Sequence, residues 1–327
     1  MTGSGGDEYR LDPAIKGDFY LPPGGLRQFE DPAVEDNEGL SIALDAIRSA
    51  EQLYESLSVR LEINTRNYPE ASSEEHFLAI AGPQRRDQDG NLVARRNEVL
   101  AFVSDSTRQR VDHVLSARFI VEGEARPLVT RYSLCYDGTD SRILFDSGLR
   151  PDGSDAVANT VEGLAFHSYY PRSHRVMRDL SADVDLADFL TGLRREQDGT
   201  LRMMDNPTTL AYLGKQVIRG MECVGISQRR VRNSEVRSEQ RYWFSEAHNY
   251  LPVLYECWAP ENSSLGPECV TITDGFHEIS AGIYFPKRSR TWRLSRQMLQ
   301  DNIVSPGYLE TIDVRDVTLD PPVPDSL

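Results

Sequence analysis

The sequence predicts a mainly β (α+β) protein: a curved antiparallel sheet of roughly ten or eleven strands, partly covered by two or three helices. Short segments of alternating apolar and polar residues recur from 58 to 147 and again from 210 to 319, separated by turn signals. Only two segments carry a helical period, one ahead of the first strand block and one between the blocks. Strand and helix patterns do not alternate, which excludes a doubly wound nucleotide-binding fold, and no repeat with a period of about 20–50 residues is visible.

Residues 1–38, rich in Gly, Pro and Asp, read as an irregular leader, and 39–327 as a single domain with a loop and helix insertion at about 148–207. Between Gly39 and Leu57, the residues Leu40, Leu44, Ile47, Tyr54 and Leu57 recur at helical spacings and form one apolar stripe, with Asp36 or Asn37 placed to cap the helix. The period then drops to two: Val59-Arg60-Leu61-Glu62-Ile63-Asn64 alternates as a half-buried strand must. The alternation returns in Val111, Leu115, Ala117, Phe119 and Val121, with His113 on the same inward parity, and in Leu128, Thr130, Tyr132, Leu134 and Tyr136.

In the insertion, Asp183 to Leu193 sets Val184, Ala187, Leu190 and Leu193 on one helical face. Asp179, Asp183 and Asp185 gather where the helix dipole favours carboxylates, and Asp188 follows. Tyr242-Trp243-Phe244 and the run from Tyr250 to Trp258 read as a β-hairpin through the turn Ala247-His248-Asn249. Tyr284-Phe285-Pro286 adds another aromatic strand, and Trp292, Leu294 and Met298 share a face opposite Arg293, Ser295 and Gln297. Further turns are expected at Asp89-Gly90-Asn91, Asp137-Gly138-Thr139 and Asn302 to Gly307. Arg229-Arg230-Val231-Arg232 reads as a solvated strand end. A sheet this large curls, and a curled sheet closed by few helices encloses an apolar cavity.

Composition removes several function classes. The 327 residues are 39% hydrophobic and 27% charged, enough for a packed core, and no run reaches the ~18 apolar residues of a membrane span. Thirty-six Lys and Arg against 51 Asp and Glu give −15, the wrong sign for nucleic acid. The four cysteines form no CxxC pair, which disfavours structural zinc; Cys257 and Cys269 either bridge or pack as thiols. There is no GxSxG, P-loop, HExxH or GxGxxG, and no calcium-loop spacing. His167 and His174 are seven apart, but Pro171 prevents the continuous helix that would align them, so they read as solvated or hydrogen-bonding groups. The expectation is therefore no catalytic residue, no metal and no cofactor. The opening Met1-Thr2-Gly3-Ser4-Gly5-Gly6 lacks the basic and apolar regions of a signal peptide. A periplasmic or other extracytoplasmic location is expected if an export signal has been removed, and a cytoplasmic one otherwise.

Five passages resemble one family. The hairpin Tyr242-Trp243-Phe244-Ser245-Glu246 to Leu251-Pro252-Val253-Leu254-Tyr255-Glu256 is similar to that of the lipoprotein-sorting superfamily of LolA/LolB-like and RseB-like carriers. Leu213-Gly214 to Met221-Glu222-Cys223 resembles its preceding strand pair, Tyr136-Asp137-Gly138 its turn, and Gly282-Ile283-Tyr284-Phe285-Pro286 its later strand. The tail Thr318-Leu319-Asp320-Pro321-Pro322-Val323-Pro324-Asp325-Ser326 is like the ending of large bacterial, planctomycete-like members. Together they span roughly 40–326. The resemblance implies a curved antiparallel half-barrel with helices closing its mouth and a role in carrying acyl chains or sensing lipoproteins. It transfers no catalytic residues.

The expected function is non-enzymatic: binding of a lipid, an acyl chain or another hydrophobic ligand on the concave face, with a hydrophobic small molecule or an acylated protein as partner. Strand parity nominates Leu61, Leu115, Phe119, Tyr132, Trp243, Tyr255, Tyr284 and Trp292 as lining residues. Two rivals come from other classes. One is a scaffold or regulatory module contacting a protein through an edge strand or the insertion. The other is a hydrolase using His113 and a nearby acid.

Overall fold

The structure is a computed structural model. It describes residues 10–11, 37–67, 84–86, 92–105, 108–121, 124–136, 141–146, 160–162, 172–177, 180, 184–195, 200–203, 208–232, 235–259, 267–294, 303–304 and 306–321. In chain order the strands are β1 Arg10–Leu11, β2 Ser56–Asn67, β3 Gln84–Arg86, β4 Leu92–Asp105, β5 Gln109–Val121, β6 Glu124–Tyr136, β7 Ser141–Asp146 and β8 Thr160–Glu162. There follow β9 Leu193–Arg195, β10 Leu201–Met203, β11 Thr208–Ile218, β12 Met221–Arg232, β13 Glu235–Ser245, β14 Leu251–Trp258 and β15 Cys269–Thr273. The last five are β16 Phe276–Ser280, β17 Ile283–Pro286, β18 Arg288–Leu294, β19 Ile303–Val304 and β20 Pro306–Leu319. The α-helices are α1 Asn37–Glu51 and α2 Leu186–Leu190.

Among the described residues, fourteen strands form one sheet in the order β11-β12-β13-β14-β15-β18-β20-β2-β4-β5-β6-β7-β8, with β3 paired to β4. Every pairing in it is antiparallel. Among the described residues β11 and β8 stand at opposite ends of that order and do not pair, so the sheet is not closed into a barrel. The mainly β architecture is the expected one; the higher strand count comes partly from β3 and β8, three residues each, too short to show a period in sequence.

The first helix is shorter than its apolar stripe. It ends at Glu51, a 3-10 turn spans Gln52–Tyr54, and β2 has begun by Ser56. Tyr54 and Leu57 extend the stripe because turn and strand continue over the same core, where both are buried. The second helix stops at Leu190, so Leu193 opens β9 instead. Gly192 follows at φ 90°, a conformation open to glycine, and a Cβ there would meet Thr208 Oγ1 at 2.6 Å. Val184, Ala187 and Leu190 are all buried, and Ala187 and Leu190 share one core cluster, though Val184 precedes the helix.

The Arg229–Arg232 run does end a strand, since β12 stops at Arg232, but Arg229 is not a freely solvated side chain. It lies on β12, between β11 and β13, and Arg229 Nε donates to Glu239 Oε2 at 2.9 Å, a carboxylate that is fully buried and also takes Arg241. The aromatic hairpin forms as expected: β13 and β14 turn through Glu246–His248, with Asn249 in the left-handed region at φ 56°. Gly225 lies opposite Trp243, and its missing side chain leaves the room the indole fills, since a Cβ would come within 2.6 Å of the ring. Of the other expected turns, those at 89–91 and 137–139 lie outside the described residues, as do Ser295, Gln297 and Met298.

Candidate functional site

One face of the sheet can be traced through the register, because directly opposed residues on neighbouring strands share a face. Tyr255 opposes Thr271, Thr271 opposes Thr291, Thr291 opposes Glu310, and Glu310 opposes Thr65. Two and four residues back along β2, Ile63 opposes Glu98, which opposes Leu115, and Leu61 opposes Leu100, which opposes His113. We call this the inner face, because both helices lie on it.

The inner face holds two apolar clusters. Over β12 to β15, Val224, Ile226, Tyr242, Phe244 and Tyr255 are buried beneath Ala43 and Ile47 of α1 and Leu186, Ala187 and Leu190 of α2. Over the middle of the sheet, Leu61, Leu100, Phe102, Val111, Leu134 and Ile312 pack with Tyr54 and Phe285, and the β16–β17 hairpin lays Phe276, Ile279, Ile283 and Tyr284 against them. A third cluster, on the opposite face of β13 to β18, joins Trp243, Val253, Leu254, Val270, Ile272 and Trp292.

The cover is held down by a buried ionic clip. Glu51, last residue of α1, accepts from Arg175 Nε at 2.6 Å and Arg175 Nη2 at 2.8 Å. It also accepts from His174 Nε2 at 2.9 Å and from the backbone N–H of Leu186. Arg175 donates in turn to the carbonyls of Leu180 and Val184. Burial alone would raise the Glu51 carboxyl, but the Arg175 charge and the His174 hydrogen bond outweigh it and hold it well below the carboxylate range. Burial pushes His174 down, against the pull of Glu51, so the ring is the neutral tautomer that donates through Nε2. His174 stacks on Tyr54 at 4.6 Å, and Tyr54 donates to the Tyr284 carbonyl at 2.6 Å, which joins the clip to the hairpin.

Buried polar groups from β15 to β5 also lie on the inner face, beside its apolar clusters. Thr271 and Thr291 share a 2.9 Å hydroxyl contact, Thr65 donates to Glu310 at 3.4 Å, and His113 Nε2 lies 2.7 Å from Glu98 Oε2. His113 is thus a core histidine with a carboxylate partner, and Glu98 is the acid beside it. A Ser–His contact, Ser245 Oγ to His248 Nδ1 at 2.8 Å, holds the β13–β14 turn, where His248 also stacks on Phe276. Among the described residues no group of three or more His, Cys, Asp or Glu is placed to hold a metal ion, and no helix is long and apolar enough to cross a membrane.

The eight nominated residues do not converge on one surface. Leu61, Leu115 and Tyr255 lie on the inner face, and Tyr284 packs onto it from the hairpin. Trp243 and Trp292 belong to the third cluster, on the other side of the sheet from Tyr242 and Tyr255. Phe119 and Tyr132 stand on β5 and β6, and their side chains lie outside the described residues, as does His167. Sequence reasoning passed over the Glu51–His174–Arg175 clip. Its one signal is Glu51 itself, a charge four residues after Ile47 on the stripe of Leu40, Leu44 and Ile47.

No protein-family model matches the chain, and no curated protein does. Solved structures do. A domain named for outer membrane lipoprotein sorting, from Vibrio parahaemolyticus, aligns over 88% of this chain and 95% of its own at 10% identity and TM-score 0.45. A DUF1329 family protein from Desulfovibrio piger aligns over 91% and 97% at 13% identity and TM-score 0.43. A LolA superfamily protein from Nitrosomonas europaea aligns over 90% and 96% at 13% identity and TM-score 0.37. The chain is similar to lipoprotein-sorting structures.

Proposed function

We propose that this protein binds a hydrophobic ligand, a lipid or an acyl chain, against the inner face of its open half-barrel, as a non-enzymatic carrier or sensor in an extracytoplasmic compartment. The observation that carries the reading is the unequal cover of that face. Beneath α1 and α2, Val224, Ile226, Tyr242, Phe244 and Tyr255 are buried, whereas Ile63, Leu115, Tyr136 and Tyr284, on β2, β5, β6 and the hairpin, keep part of their apolar surface exposed. Partly open apolar side chains with a few convergent polar groups, here Glu98 and His113, are the composition of a ligand site. Leu61, Leu115 and Tyr284, with Phe119 and Tyr132 from strand parity, are the candidate wall, whereas Tyr255 is sealed under the helices; an acylated protein would present the same chain as a free lipid.

The test is native mass spectrometry of gently purified protein, followed by solvent extraction, on the wild type and on Leu115→Arg, which puts a charge on the half-buried rim. The expected result is a discrete excess mass that extracts as lipid from the wild type and is lost in a variant whose thermal unfolding is unchanged. A clean mass near 36.9 kDa, with no uptake of added phospholipid or fatty acid, would sink the reading.

A further inference from the structure

β14 and β15 pair antiparallel with Cys257 directly opposite Cys269. Opposed residues project to the same face, and both cysteines pack into the cluster beneath α1 and α2. Opposed Cα atoms in an antiparallel ladder lie about 4.5–5.5 Å apart, within the ~4.4–6.8 Å that a disulfide spans. The strand ends are clamped beside the pair, where the Glu268 N–H donates to the Cys257 carbonyl at 2.7 Å. The remaining cysteines face other residue types across the ladder. Cys223 opposes Gln216 and Ser245, and Cys135 opposes Arg110 and Arg142.

We infer that Cys257 and Cys269 are a redox pair, thiols in a reducing compartment that join as a cross-strand disulfide on meeting a thiol–disulfide oxidant. The four described cysteines are thiols in this structure. Cys257 is half-buried and Cys269 buried, which assigns them different parts in the exchange. The Cys257 thiolate attacks one sulfur of a disulfide oxidant such as glutathione disulfide, forming a mixed disulfide and releasing the first glutathione thiolate. The Cys269 thiolate then attacks the Cys257 sulfur and displaces the second. The pair loses two electrons to the oxidant, and its two protons end on the two glutathione thiols. Cys223 stays out of the exchange: burial pushes its thiol up to about 12, leaving almost no thiolate.

The full chain, held in glutathione disulfide or in dithiothreitol, would be denatured, alkylated and peptide-mapped. After oxidation the intact mass should fall by that of two hydrogen atoms, with residues 257 and 269 recovered as one linked peptide pair and Cys135 and Cys223 alkylated. Cys257→Ser and Cys269→Ser should each abolish that link. Full alkylation of Cys257 and Cys269 after oxidation, or a bond that joins other cysteines or two chains, would overturn the inference, and the wild-type experiment decides it without the variants.

Discussion

β2 and β14 are both interior strands of the same antiparallel sheet, yet they are buried in different ways. Along β2 the pattern is the one a half-covered strand obeys: Leu57, Val59, Leu61 and Thr65 are buried, while Arg60 and Asn64 are exposed. Along β14 six successive residues, Leu251 to Glu256, are buried, and β15 is buried at all five positions. The inner side of this half lies under α1 and α2, and its outer side carries Trp243, Leu254 and Trp292, all buried. The half without sealed cover is the half with an amphipathic sheet and partly open apolar side chains. Burial on both faces and a partly open apolar face thus fall to different strands of one continuous sheet.

The sharpest way to break that comparison is to release the cover. Glu51→Ala leaves the Arg175 guanidinium, fully buried, without its counter-ion, and should cost about 3–5 kcal/mol in chemical denaturation. A loss below about 1 kcal/mol would mean that the clip does not hold the helices. Glu51 and His174 both lie below their ordinary values of 4.5 and 6.5, so the unfolded chain binds more protons. Stability should therefore fall as pH drops below 6.5 and again below 4.5, and the second step should shrink in the variant.

The next test compares neighbours on one strand. Leu254→Ala and Tyr255→Ala face opposite sides of β14, and each should cost at least about 2 kcal/mol, because both sides are packed. The smallest effect belongs to β2. There Asn64→Ala, adjacent to buried Thr65, should stay within about 0.5 kcal/mol, and a larger loss would show that the outer face of this half is also covered.

The same contrast explains what could be read from the sequence. Strict alternation at Val59 to Asn64 gives β2 and its inward residues directly, because one wet face writes a period of two. The hairpin at 242–258 is legible from its aromatics and turn, but a strand buried on both faces has no parity signal to say which aromatic looks inward. Trp243 and Trp292 consequently fall on the far side from Tyr255. Helix boundaries blur for a related reason: Tyr54 and Leu57 keep the helical spacing of the stripe although the helix has ended, since the core beneath them is continuous. The clip depends on residues more than a hundred positions apart, with Glu51 meeting His174 and Arg175, and no local pattern encodes that meeting.

The order of strands also has a kinetic consequence. Most neighbours in the sheet are joined by short connections, β4 to β7 on one side and β11 to β15 on the other, so each side can form from local contacts. The seam between them, β20 against β2, is different: Arg315 reaches Glu62 across 253 positions of chain. Closing so long a loop pays its entropy before any pairing rewards it, which makes the seam the slow step of folding. Until it zips, both halves present unpaired strand edges to whatever else is in solution, and that exposure cannot end before β20 has been synthesised.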